Sequence, residues 1–529
     1  MAKGKKKAAK KIEAEETEIE ETAPTKEPTQ APQEETKEIA PIKTETPLQI
    51  EEKVETPPVP APTPAPKVEA PPAPETKPIE IVPEKAKKPP KKVEKKEAPA
   101  EEIEEAVEFQ KIEFEDKFNK ERAFKHAESL AFPRLVGSEG EQKAATYIKD
   151  KFDKLGLKPV EEEFEFTDFV SKVLLRAFEG VKAILIVIAI ALISIPLIGF
   201  ILSIALIVIT FVGSIGARLF YKFQNTEGKF IKAQRQKSKN IIAKINCAEG
   251  KDEASGDVIL FSHYDSQSKT FSTLWRVMFY YLSLLLSVAI PIGFIAYYFF
   301  AATGNPLNQL FSTVAFWVLA GIAVGAIVAL QLDRTKNESP GAINNASGLG
   351  VFLELAENFT KEPLSNYNLT FVATGAEEFG LMGAISYFKA HESELDPEET
   401  YFLNIKEAAV RGHFYIPGPI GFPPQFPCLL IETLFKKVLK IRKIPLKEGE
   451  PKRIKVLSPW VLTGSWNDDM VPVIRGFNAN RISIGGHGRK RKVINTKKDT
   501  IDQVDVEAMD IVGKVTAEVL QRLDLRARP

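Results

Sequence analysis

Two long runs without a charged residue set the strongest limit on how this chain folds: residues 183–217 and 277–332. As one straight helix the first would be roughly 50 Å long, whereas the hydrocarbon core of a bilayer is only about 30 Å thick. Pro196 and Gly199 lie near its middle, where a helix breaks most readily. The second run divides at residues 303–309, T-G-N-P-L-N-Q, a turn signal. Each run is expected to form a pair of membrane helices, giving four transmembrane helices in two inserted hairpins. Buried core helices are the competing reading, and these lengths disfavour it.

The flanks suggest an orientation. Lys172, Arg176 and Lys182 precede the first run, and Arg218 and Lys222 follow it. Lys269, Arg276, Arg334 and Lys336 bracket the second, and the turn inside each run is uncharged. By the positive-inside rule both hairpins begin and end in the cytoplasm. The expectation is an integral membrane protein with its soluble domain and both termini on the cytoplasmic side. Its partners are then the lipid bilayer and, in second place, another membrane protein.

Residues 1–105 are Lys, Glu, Pro, Ala and Thr with almost no aromatics. Such a segment buries too little apolar surface to offset the entropy of ordering, so a disordered tail is expected. The N-terminal M-A-K-G-K-K-K has no apolar segment behind it and is not read as a secretory signal. Cys247 and Cys428 are far apart in sequence, which fits a reducing compartment without a disulfide framework. The 71 basic and 71 acidic side chains balance, so average charge identifies no partner, and no nucleic-acid ligand is expected.

The remaining segments alternate between two periodicities. Residues 139–155 place Ala144, Ile148, Phe152 and Leu155 on one helical face. Residues 161–166, 240–245, 257–262, 368–374, 400–406 and 480–484 read as strands, and 349–359, 380–391 and 504–525 as helices. Alternation of this kind predicts an α/β domain with a mixed, largely parallel sheet and helices on both faces. Expected segments are the tail at 1–105, soluble-domain parts at 106–180, 221–274 and 334–529, and hairpins at 181–220 and 275–333. Strands on either side of each apolar run must share one sheet, so each insertion must cross the membrane an even number of times.

Seven short motifs occur in order: F-P-R-L-V-G-S at 132–138, L-F-S-H-Y-D-S at 260–266, S-P-G-A-I-N-N-A-S-G at 339–348, T-G-A-E-E-F-G-L-M-G at 374–383, L-N-I-K at 403–406, D-D-M-V-P at 468–472 and N-T-K-K-D-T at 495–500. Together they resemble the co-catalytic zinc exopeptidases, the family of bacterial leucyl aminopeptidases. That family also has relatives without peptidase chemistry, such as nicastrin and the transferrin receptor. The resemblance covers about residues 118–529 outside the apolar runs, and it implies a zinc-exopeptidase-like fold.

The chemistry of such a site needs two zinc ions roughly 4 Å apart to polarise a carbonyl and activate a water. It also needs a carboxylate bridge, further His or carboxylate ligands and a free carboxylate as base. The resemblance assigns His263 to the first metal, Asp265 to the second-shell position orienting that imidazole, Glu377 to the general base and Glu378 to the second metal. It also identifies three replacements. The bridging aspartate falls at Asn344, the other carboxylate of the first metal at Lys406, and the histidine of the second metal at Asn495. An amide is a poor substitute for a carboxylate, and an ammonium cannot bind a cation.

His126 and His391 are read as solvent-facing, and His413 and His487 lack metal-ligand spacing. A shifted register using Glu407 or Asp469 remains open. Alternatively, His263 and Asp265 simply cap a strand end, and Glu377 and Glu378 are a leftover polar network. Lys406 is expected within about 4 Å of Glu377 or Glu378, the usual ion-pair distance. The leading expectation is a vestigial, non-catalytic site with no cofactor and a role in binding or assembly. The rivals are an active zinc aminopeptidase acting on peptides, and a site for an anionic ligand or lipid headgroup that uses Lys406 and the basic run G-R-K-R-K at 488–492.

Overall fold

The structure is a computed structural model. It describes residues 114–167, 173, 175–192, 195–223, 235–248, 254–301, 306–421, 424–461, 467–484 and 492–526. The tail read at 1–105, His487 and most of the basic run at 488–492 lie outside the described residues.

One mixed sheet organises the soluble part. Its strands are β1 (Val160–Thr167), β2 (Arg235–Ile245), β3 (Gly256–His263), β6 (Tyr367–Thr374), β7 (Thr400–Ala408), β8 (Phe414–Tyr415), β9 (Val456–Leu457) and β10 (Asn478–Ile484), in the order β1-β2-β6-β3-β7-β10-β8-β9. The central strands β6, β3, β7 and β10 run parallel, with Leu260 facing Phe371 on one side and Leu403 on the other. β6 is buried along its whole length, as a parallel strand covered on both faces must be. β1, at the edge, alternates as V-E-E-E-F-E-F-T and buries only its last two residues. A separate two-stranded ribbon pairs β4 (Ser268–Lys269) with β5 (Thr335–Lys336).

Helices cover both faces. On one lie α1 (Lys120–Leu130), α2 (Glu139–Lys154), α7 (Ser347–Lys361), α9 (Leu429–Arg442) and α11 (Val506–Arg526), packed around Phe152, Phe352, Phe371 and Phe435. On the other lie α8 (Met382–His391) and α10 (Met470–Arg475), packed around Phe261, Phe388, Phe402 and Phe477. Asn119 caps α1 by accepting from Arg122 N at 2.8 Å. Ser138 caps α2 by accepting from Glu141 N at 3.3 Å. Both caps satisfy amides that no helical carbonyl can reach.

The two apolar runs form helical hairpins. The first consists of α3 (Leu175–Ala191) and α4 (Pro196–Phe223), the second of α5 (Thr273–Ala301) and α6 (Pro306–Leu332). Pro196 and Pro306 each open a helix, where the missing N–H has no partner to lose. The helices pack around Ile190, Leu206, Ile290, Phe294, Phe316 and Ile327, and they leave Leu197, Leu285, Ile292 and Val318 exposed.

Among the described residues, Thr273–Tyr298 and Thr313–Leu332 are long and apolar enough to cross a membrane, and Leu197–Gly213 is a shorter apolar helix. The expectation of four membrane-length helices is thus met for the second hairpin only. In α3 the first two turns carry Arg176, Glu179 and Lys182 and leave a short apolar remainder.

The insertion points share one edge of the sheet. β1 ends at Thr167 opposite the start of β2 at Arg235, so the first hairpin leaves and returns there. His263, the last residue of β3, pairs with Thr374, the last of β6, and the second hairpin follows β3 after the short β4. β1 is antiparallel to β2, and β2 is antiparallel to β6, so β1, β3 and β6 all end at this edge.

Candidate metal centre and its replacement

That edge collects the motif residues. His263 closes β3, and Glu377 and Glu378 form a single 3-10 turn just after β6. Lys406 lies near the end of β7, and Asn344 sits in the segment before α7. Gly341 opens that segment at φ 60°, and a Cβ there would come within 2.6 Å of Ser266 Cβ, so only glycine fits.

His263 is fully buried. Its Nδ1 lies 3.1 Å from the Asp265 carbonyl oxygen and 3.4 Å from Asp265 Oδ1. Its Nε2 lies 3.1 Å from Asn344 Oδ1 and 3.8 Å from Glu377 Oε2. Burial opposes charge on the ring, but Glu377 and Asp265 outweigh it and raise the imidazole pKa to about 9. An imidazolium donates from both nitrogens, which matches the oxygens facing both.

The Asp265 carboxylate has a further role. It accepts from Glu377 N at 3.0 Å and Glu378 N at 3.1 Å, holding the turn that carries both glutamates. Glu377 Oε1 accepts from Lys406 Nζ at 2.8 Å, and both residues are buried. Lys406 also donates to Asn467 Oδ1. Burial alone would neutralise this pair. Instead His263 and Lys406 hold Glu377 below the usual carboxylate range, and Glu377 with Glu378 holds Lys406 above the usual amine value. The pair is therefore ionic.

Glu378 is engaged differently. Asn344 Nδ2 donates to its Oε1 at 2.6 Å, and Gln267 Nε2 donates to its Oε2. Burial and the neighbouring Glu377 charge raise its pKa. Asn344 Nδ2 also lies 3.1 Å from Asn495 Oδ1. With the Asn495 amide turned the other way, its nitrogen donates to Glu378 Oε1 at 3.3 Å and its oxygen accepts from Arg276 Nη1 at 3.2 Å. Asn344, Lys406 and Asn495 thus surround the two glutamates.

A pair of zinc ions does not fit these donors. A metal-bound histidine presents a lone pair to the cation, whereas His263 Nε2 faces the Asn344 amide oxygen at 3.1 Å. Lys406 brings its own positive charge to 2.8 Å from Glu377, the carboxylate aligned with the general base. No group of three or more His, Cys, Asp or Glu able to hold a metal occurs among the described residues. The shifted register gains nothing from Asp469, whose carboxylate lies 3.4 Å from Asn404 Nδ2 and 3.8 Å from Arg481. At Glu407 the backbone turns left-handed, with φ 51°, and its N–H donates to Asn345 Oδ1 at 2.9 Å.

His126 requires a correction. It is buried rather than solvent-facing, with Nδ1 2.8 Å from Tyr147 OH, and burial lowers its pKa to about 4. His391 is half-buried, 2.7 Å from Glu162, and His413 Nδ1 accepts from Lys455 N. Cys247 and Cys428 are free and buried.

Several supports were not singled out from sequence. The buried Arg134 guanidinium donates to the carbonyls of Tyr264, Phe132, Pro340 and Gly341, binding the first motif to the second and third. Asn345 donates to Ser262 Oγ at 2.9 Å and to the His263 carbonyl at 3.3 Å. Asp499 accepts from Ile343 N at 2.6 Å. Arg134 and Asp499 lie inside the quoted motifs, which was the available signal. Asn467 carried none.

Residues 329–414 match the model of peptidase family M28. A segment of 83 residues is 34% identical to the alkaline phosphatase isozyme conversion protein of Escherichia coli strain K12, covering 16% of this chain and 24% of that protein. Three solved structures are also similar. LapB of Legionella pneumophila has 13% identity and a TM-score of 0.42 over 82% of this chain and 83% of that one. A Zn-dependent exopeptidase of Parabacteroides distasonis has 12% identity and a TM-score of 0.42 over 76% and 98%. A glutaminyl cyclase of Porphyromonas gingivalis has 13% identity and a TM-score of 0.43 over 77% and 100%. The family match takes in Asn344, Glu377, Glu378 and Lys406.

Lys406→Met should destabilise the folded chain by about 3–5 kcal/mol, because it leaves Glu377 charged and buried without its partner. The double variant Lys406→Met, Glu377→Gln should recover most of that loss. Chemical denaturation of the three proteins in one detergent measures both effects.

Proposed function

We propose that this relative of peptidase family M28 is a membrane-embedded binding or assembly protein whose former metal site is held together by an internal ion pair and does not hydrolyse peptides. The carrying observation is the Lys406 ammonium, 2.8 Å from Glu377 Oε1. In a metallopeptidase the second carboxylate must be free to take a proton from water. Here it is neutralised by a permanent cation, and Glu378 is filled by two amide donors. Zinc and a peptide substrate belong to the rival reading. The anion-binding reading loses Lys406, since Glu377 and Asn467 already accept from it.

The same reading gives the protein four membrane crossings, with the soluble domain and both termini in the cytoplasm. Basic residues flank both hairpins. β1 and β2 are direct partners across the first hairpin, which supports an even number of crossings for α3 and α4 despite the charged start of α3.

Two experiments test this. Hydrolysis of aminoacyl anilides by the full chain, with zinc added, should equal that of Glu377→Gln. A rate well above that variant's contradicts the proposal. For orientation, Lys237 is suitable because its side chain is 77% exposed, whereas Ser238 is buried against Glu141. Lys237→Cys should resist a membrane-impermeant thiol reagent in intact cells and react after lysis. Labelling from outside reverses the orientation.

A further inference from the structure

The second hairpin and the old metal site meet at a cluster of cations that the proposed chemistry does not use. Lys269 lies in β4, Arg276 in the first turn of α5, Arg176 at the start of α3, and Arg334 two residues beyond the end of α6. Arg276 and Arg176 meet at Asp333, with Lys269 and Arg334 at the adjoining ribbon. Arg276 Nε lies 3.4 Å from Asp333 Oδ2, Arg176 Nη2 donates to the Asp333 carbonyl at 2.5 Å, and the backbone of Arg334 pairs with that of Thr270 at 3.1 Å. Lys269 donates to Thr335 Oγ1 at 2.6 Å and has no ion pair among the described residues. The nearby Glu378 is already filled by Asn344 and Gln267. Asp333 is thus paired with Arg276, and Glu179 nearby with Lys182, so Lys269, Arg176 and Arg334 have no carboxylate partner among the described residues.

These cations sit where three apolar helices meet the soluble domain, and a bilayer has its charged groups at that level. A cationic cluster with too few acids, set between helix ends at the membrane surface, suits a phosphate group carried by a lipid. We propose that Lys269, Arg276, Arg176 and Arg334 bind the phosphate of an anionic lipid headgroup. The ligand lies beside the old site and is coupled to it. Arg276 reaches the Asn495 amide at 3.2 Å, and the Asn495 carbonyl accepts from Lys269 N at 2.9 Å. The inference rests on the membrane-embedded reading above.

The test uses the full chain purified in detergent and native mass spectrometry of retained lipid. Phosphatidylglycerol should be retained over phosphatidylcholine. Retention should fall roughly fivefold for each cation removed in Lys269→Gln and Arg276→Gln, while Lys269→Arg should bind like the parent. Arg334→Glu, at an exposed position, should weaken retention without a change in melting temperature, and so serves if the other variants fail to fold. Equal retention of both lipids, or unchanged retention in Arg334→Glu, overturns the proposal. Full displacement by inorganic phosphate overturns the lipid assignment in favour of soluble phosphate. Failure of the protein to enter lipid nanodiscs contradicts the membrane-embedded reading itself, and is thereby distinguished from a failure of the headgroup site.

Discussion

The ion pair between Lys406 and Glu377 is the contact on which the rest of the site depends. Two adjacent glutamates at a strand end, with Asp265 beneath them and Asp468 beside them, are an unstable arrangement away from water. Asp468 shows the strain of that environment. Burial, together with the Glu377 charge, raises its pKa to about 7. In a metallopeptidase the cations supply the opposing charge. Here the Lys406 ammonium lies against Glu377, and the amides of Asn344, Asn495 and Gln267 face Glu378. The replacements are complementary, because each removes negative charge, adds positive charge or adds a donor.

This arrangement changes what the scaffold can do. A hydrolytic metal site is kept open, with an unsaturated cation and a base awaiting a proton. In this chain the same positions are in contact with one another, and on the proposed reading this closes the site. The site is linked to the membrane segments through residues 267–276. Gln267 holds Glu378, Lys269 holds the Asn495 carbonyl, and Arg276 begins α5. Because both hairpins leave from the edge where β3 and β6 end, the edge that carries the motif residues faces the attachment of the apolar helices.

Much of this was legible in the sequence where local pattern and tertiary role coincide. The strands at 257–262 and 368–374 are short and mostly apolar, and they became the buried centre of the sheet. The positions of Asn344 and Lys406 could be read from motif order, since Gly341 sets the backbone before the first and the end of β7 places the second. Other features depend on contacts distant in sequence. His126 has an ordinary helical context, and only the packing of α1 on α2 buries it against Tyr147. Arg134 reads as one more charged residue, yet it is buried among carbonyls from three segments.

The central claim concerns what balances the charge of Glu377, and zinc stoichiometry reads this most directly. The full-length protein, purified without chelators and then dialysed against zinc, should carry well under one tightly bound zinc per chain. Restoring the ligands with Asn344→Asp, Lys406→Asp and Asn495→His should raise that value. Two zinc ions per chain in the unaltered protein, lost on Glu378→Ala, would contradict the account.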